Sequence, residues 1–523
     1  MANLKKYGPF LLLLLVWGKA CPQSQIPANL VTLSELTLDR SPLIKRNELT
    51  IGQAEAGLRN QKSIFDYQLS SGLSLQQNEQ TLFDADPRSP ILMGDLEGRN
   101  TGISLALQKQ FRTGLIAQVS SEYSRALDNF PFNAFNEEVG ADVSDHLSSA
   151  TVSLTQPLLR NNGKRVVTAF ERAAKLEVKS AEENFALNTA FELLQLATAY
   201  WQYLAAYKSL DIFVENESRV RKVLDITKEL VKADKRPESE LLQIKADLVE
   251  QEQQTNLAAQ NLYNARINLG RIIGLNEGES KQIGNPFEEF PTLEAFSQAS
   301  FDLVEISELA LKNRSDIVAN ENSLKALEAQ RYAAKNATLP QLDLSAFYTR
   351  GGAAVGGGLE NYLNAFGNRQ GRNHTRGLRL NFTFPINNNR AKANLASNTI
   401  AVTDQEIALE NLKRNIALNV SIAHNNLENS LFVVEKAKES LDFYQKVFSN
   451  EQIRFQNGMT TLLNLILFQE RLTFAQLDFV NAQQQLATAL TNLRFETGTL
   501  LSREGENRFS VERNNFLTLP KTR

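Results

Sequence analysis

The chain has a single cysteine and only three histidines among its 523 residues. One thiol excludes a disulfide framework and a multi-thiolate zinc site. His146, His374 and His424 lie far apart in sequence and leave little for metal or acid–base chemistry. Each is read as a surface or packing residue. The formal net charge is only −3, so there is no clustered basic excess for nucleic acid. A mean hydropathy of −0.30 excludes a bundle of apolar membrane helices, each of which needs ~20 apolar residues. No serine sits in a nucleophile elbow and no short motif gathers carboxylates, so neither an enzyme nor a bound cofactor is expected. The 14 prolines leave room for long unbroken helices.

Residues 1–20 read as an export signal. Lys5 and Lys6 precede a short apolar run from Phe10 to Trp17, and Gly18 and Ala20 suit cleavage. Cys21 sits at that junction. It is either the lipid-attachment site of a processed N-terminus or an incidental thiol beside an ordinary cleavage site. Gly18 stands where lipoprotein signals usually carry leucine.

The rest is one plan used twice. Arg40-Ser41-Pro42-Leu43-Ile44 matches Arg314-Ser315-Asp316-Ile317-Val318, and Thr155-Gln156-Pro157-Leu158 matches Thr383-Phe384-Pro385-Ile386. Gly274-Leu275 matches Gly498-Thr499. The division expected is a first repeat over 21–275, an inter-repeat segment over 276–305, a second repeat over 306–500 and a C-terminal tail over 501–523. Proline-free runs over 165–231 and 391–457 give helices of roughly 100 Å each. Shorter limbs over 238–274, 306–338, 462–499 and 34–62 stack in pairs to about the same length. In the second long run Leu409, Leu412, Ile416, Val420, Ala423, Leu427, Leu431 and Val434 recur at about 3.5 residues per step, the seam of supercoiled helices. Asn415, Asn419, Asn426, Glu428 and Lys436 take the other face.

Alternation marks the strands: Tyr67–Leu75, Ile103–Gln108, Val152–Thr155, Leu342–Tyr348 and Leu378–Phe384. Apolar residues fall on one face and Ser, Asn, Gln or Asp on the other. This suits a membrane β-barrel with a wet lumen, or a half-exposed soluble sheet. Tyr67, Tyr123, Phe347, Tyr348, Phe382 and Phe384 are the candidate interfacial aromatics. Phe111-Arg112-Thr113-Gly114 reads either as the turn of an additional hairpin, 101–110 with 115–125, or as part of a longer surface loop. That leaves six or four strands per chain.

These residues resemble the TolC-like outer-membrane efflux family. The duplicated plan carries the resemblance, with Leu339-Pro340 before a strand, Gln156-Pro157-Leu158-Leu159-Arg160 before a long helix, and the tract Arg454–Asn464. It implies a mainly α chain with membrane β-strands. The fold expected is a trimeric outer-membrane β-barrel continuous with a long periplasmic α-helical barrel. It also implies a passive export channel for small molecules or polypeptides in the bacterial outer membrane. The partners would be outer-membrane lipid, a periplasmic adaptor and an inner-membrane pump of the RND or ABC class. The helix turns form the periplasmic entrance in that family. The gate candidates are therefore Glu240, Phe455, Gly458, Asn464 and Leu467. The turn and adaptor-contact candidates are Asp234, Lys235, Arg236, Pro237 and Thr460. Asp234 and Lys235 depart from the family, which usually has glycine there. Asn464 and Leu467 stand where acidic residues are common, while Glu240 keeps a carboxylate. The other reading is an exported periplasmic coiled-coil scaffold without a channel.

Overall fold

The computed structural model describes residues 25–87, 89–92, 95–129, 144–296, 302–356, 360–367, 373–505 and 508–520. The export signal and Cys21 lie outside these residues. In chain order the principal elements are β1 (Ile26–Ala28), α1 (Leu30–Arg40), α2 (Pro42–Ser63), β2 (Tyr67–Thr81), β3 (Asp95–Gln110), β4 (Ile116–Asp128) and β5 (Asp145–Pro157). There follow α3 (Ala169–Lys232), α4 (Ser239–Ile273), β6 (Ile283–Pro286), α5 (Leu303–Asn313) and α6 (Ser315–Ala337). The chain continues through β7 (Gln341–Val355), α7 (Glu360–Gly367), β8 (His374–Thr383), α8 (Asn389–Gln456), α9 (Leu462–Glu496), β9 (Ser502–Gly505) and β10 (Arg508–Ser510).

The long helices α3 and α8 run for 64 and 68 residues without proline. At 1.5 Å per residue they span about 96 and 102 Å. Along α8 the seam residues Ile416, Val420, Ala423, Leu427 and Val434 are buried, and Asn415, Asn419, Asn426, Glu428 and Lys436 are exposed. The period read from sequence is thus the period of burial. The limb expected over 306–338 is two helices. Arg314 breaks it with extended backbone, φ −69° and ψ 118°, and its N–H still bonds Ala310 O. Ser41 makes the same kind of break before Pro42, at φ −56° and ψ 122°, one position later in the matched segments.

The contacts divide the chain into two compact units. One comprises the residues up to Asn47, Phe185–Arg314 and Arg414 onward. Its core gathers Leu30, Leu33, Leu193, Leu196, Trp201, Leu269, Ile273 and Phe516. The buried Glu288 carboxylate accepts from Leu30 N and, at 2.6 Å, from the Tyr200 hydroxyl. Burial first, and this carboxylate second, push the Tyr200 phenol well up. The C-terminal stretch packs here too. Buried Arg494 donates to Thr518 O at 2.8 Å and to Leu519 O at 2.7 Å. Among the described residues no carboxylate pairs with it, and burial lowers its pKa to about 10.

The other unit comprises Glu48–Asn184 and Ser315–Lys413 and holds the large sheet. Its strand order is β2-β3-β4-β5-β7-β8, antiparallel throughout. Among the described residues this sheet has six strands, so the Phe111–Gly114 segment is a hairpin turn. The connections to α2, α3, α6 and α8 leave from one end of the sheet, where the β3–β4 turn also lies, and α7 lies at the other end.

Candidate functional site

Two features are the candidates for function: the two-faced sheet and the pair of helix-hairpin turns. On the sheet, register aligns the apolar residues of successive strands into rows. Leu69, Leu107, Val119, Val152 and Tyr348 form one such row, and Leu73 lies beside Ile103 on the next. Leu380 and Phe382 of β8 share this face. These side chains face outward from the protein: Leu69 is 70% exposed and Phe382 65%. The opposite face carries Gln68, Gln108, Gln118 and Ser153 in one row. There Thr151 pairs with Thr349 and Thr155 with Ser345 through hydroxyls 2.9 Å apart.

Among the described residues the outer strands β2 and β8 pair on one side only, and every residue of β2 is exposed. Tyr67, Tyr348 and Phe382 lie on the apolar face as anticipated. Phe347 lies on the polar one, since it alternates with Tyr348. Tyr123 turns its hydroxyl to His146 Nδ1 at 2.6 Å, and buried His146 reaches Gly356 O through Nε2 at 2.9 Å. His146 is therefore a packing residue.

The helix-hairpin turns lie in the first unit. The α3–α4 turn has Asp234 in the left-handed region at φ +52°, and the α8–α9 turn has Gly458 there at φ +71°. The next residue in each closes a six-residue ring: Lys235 N donates to Leu230 O at 2.9 Å, and Met459 N to Arg454 O at 2.8 Å. Both helices thus end in the same way. Pro237 follows without needing an N–H, and its carbonyl accepts from Glu240 N at 3.2 Å. Thr461 caps α9 through its side chain.

Arg236 joins the two turns. Its guanidinium lies 4.9 Å from the Phe455 ring, bonds Thr460 O, and pairs with Glu240 at 3.4 Å. The pair is mostly buried, with side chains 13% and 16% exposed. The second Glu240 oxygen is buried without a partner among the described residues. Phe455 is only 1% exposed and packs with Ile244, Leu462 and Leu465. Thr460 donates to buried Glu451 and accepts from Asn464 Nδ2 at 3.3 Å. The remaining candidates, Asp234, Lys235, Asn464 and Leu467, are exposed.

Sequence reasoning missed Glu451, which belongs to no motif. It also missed a relay of amides: Gln469 Nε2 donates to Asn216, Asn216 to Gln251, and Gln251 to Asp247, at 2.9, 2.8 and 3.1 Å. These residues line a cavity of about 260 Å³ with Glu250 and Glu470. Burial, with those two carboxylates adding to it, pushes the Asp247 carboxyl up. Among the described residues no helix is long and apolar enough to cross a membrane.

Residues 306–499 match the outer membrane efflux protein family. None of the curated proteins matches the sequence. Solved structures share the fold. The CmeC outer membrane channel of Campylobacter jejuni is 16% identical, with a TM-score of 0.64, over 95% of this chain and 94% of that one. The outer membrane protein VceC of Vibrio cholerae is 15% identical at 0.63, over 89% and 95%. A membrane protein of Pseudomonas aeruginosa is 15% identical at 0.64, over 89% and 91%.

Proposed function

We propose that this chain is a channel of the TolC-like outer membrane efflux family, a bacterial outer-membrane protein with a periplasmic helical tunnel and not an enzyme. It is a passive conduit, assembled as a homotrimer, that exports small molecules or polypeptides handed over by a periplasmic adaptor and an inner-membrane RND or ABC pump. Export begins with residues 1–20 as signal peptide and leaves Cys21 as the lipid-attachment site. Residues 21–275 and 306–500 are its two structural repeats, with 276–305 between them and 501–523 as the tail.

The observation that carries this reading is the sheet, with one apolar face, one polar face and two unpaired edges. Unpaired backbone groups are not tolerated in lipid, so strands that span a bilayer must close into a ring. One chain of this kind cannot close the ring, and a cyclic homo-oligomer can. A scaffold without a channel would leave the apolar face with no medium to cover it.

The entrance is gated at the two helix-hairpin turns. Glu240, Phe455, Gly458, Asn464 and Leu467 form the gate, and Asp234, Lys235, Arg236, Pro237 and Thr460 form the turn that the adaptor engages. The Arg236 bridge between the turns holds the resting state. The carboxylate of Glu240 is therefore engaged within the chain, and opening would free it. Conductance of the purified protein in planar bilayers tests this. Arg236→Ala should raise the open fraction several-fold; a protein that forms no pores, or a variant that gates like its parent, contradicts the reading.

A further inference from the structure

The turn between β3 and β4 is built into the protein around it. Phe111 N donates to Leu115 O at 2.7 Å and Gly114 holds φ +99°. A Cβ at Gly114 would fall 2.5 Å from Asn161 O, so glycine is required. Gly163 N reaches back to Thr113 O at 3.2 Å. Arg112 makes two bonds of 2.9 Å to the two carboxylate oxygens of Glu171 on α3, and lies 4.8 Å from the ring of Phe65, just beyond α2. A surface loop would need none of these anchors.

The hairpin also continues both faces of the sheet. Leu107 and Val119 extend the apolar row, and Gln108 and Gln118 extend the polar one. We propose that β3–β4 is a segment of the pore wall, so that each copy supplies six strands and the ring of three copies is an eighteen-stranded barrel. This rests on the shared-barrel channel described above.

Strand direction allows the ring to close, as for any even number of strands. Six alternating strands leave β2 and β8 running opposite ways, so β8 of one copy meets β2 of the next antiparallel. Apolar residues occupy odd positions of β2 and even positions of β8, and pairing odd with even keeps one apolar belt around the ring. The occupant of each edge is thus a second copy, and the occupant of the outer face is lipid. Barrel diameter grows with strand number. At ~4.8 Å between strands tilted by ~40°, eighteen strands give about 36 Å across the backbone, against about 24 Å for twelve.

The test places single cysteines in full-length protein carrying Cys21→Ser, reconstituted in liposomes of outer-membrane lipid. Ser104→Cys and Leu105→Cys probe the hairpin; Asn381→Cys and Leu380→Cys probe β8 as the reference. A charged maleimide should label Ser104→Cys and Asn381→Cys at least tenfold faster than Leu105→Cys and Leu380→Cys. Equal rates at 104 and 105, with the reference pair still differing, would put the hairpin outside the wall. Equal rates in both pairs would overturn the shared-barrel reading itself. Imaging of the unmodified oligomer down its axis gives an independent measure: a ring of about 36 Å is expected, and one of about 24 Å overturns the proposal.

Discussion

Asp234 and Gly458 hold the same left-handed backbone conformation at equivalent places in the two helix-hairpin turns, at φ +52° and +71°. A side chain in this region costs about 1 kcal/mol, and glycine does not meet that cost. Asp234→Gly should therefore stabilise the first turn by about 1 kcal/mol, and Gly458→Ala should destabilise the second by a similar amount. Thermal dissociation of the detergent-solubilised protein reads both changes, and the same sign in the two variants would contradict the equivalence.

Arg236 bonds across the turns to Thr460 O. Arg236→Ala removes that bond and the stacking on Phe455, and leaves the mostly buried Glu240 carboxylate unpaired. The expected loss is about 2 kcal/mol of local stability. Hydrogen exchange should quicken at residues 230–245 and 450–465 and stay unchanged in the sheet. Uniform quickening would point to global unfolding instead.

How much of this could be read beforehand depends on range. Gly458 and the long helices were visible because turn chemistry and the seam period are local. The Arg236–Phe455 contact was not, since 219 positions separate the two residues and no motif joins them. The β3–β4 hairpin stayed open because β4 alternates weakly: Ala117, Ser121 and Arg125 share the side that carries Leu in β2 and β3. The turn was legible, but the anchor on Glu171 that makes it structural lies 59 residues away.

The hairpin anchor should titrate. The hydrogen bond from Arg112, with its charge, holds the Glu171 carboxyl below its ordinary 4.5. A lowered acid stabilises the fold above its unfolded value, and that contribution fades as pH falls through the folded one. Glu171→Gln should therefore dissociate at a lower temperature than the parent at pH 7, with the gap closing as pH drops below 4.5. A gap independent of pH would show that the bond does not act through ionisation.

Asp247 should behave in the opposite sense. Its carboxyl is held above the ordinary 3.8, chiefly by burial, so its ionisation opposes folding. That penalty is absent below 3.8 and complete once pH exceeds the raised value. Asp247→Asn keeps an oxygen for Gln251 and should melt at a higher temperature than the parent at neutral pH. The advantage should vanish in acid. A variant less stable than its parent at pH 7 would mean that the relay needs the charge.

The pore proposed for this chain needs several copies in one outer-membrane assembly. Its most direct test is the native mass of the protein extracted by mild detergent from outer-membrane fractions. A heat-sensitive complex of three chains is expected. A monomer recovered from the soluble periplasm would contradict it.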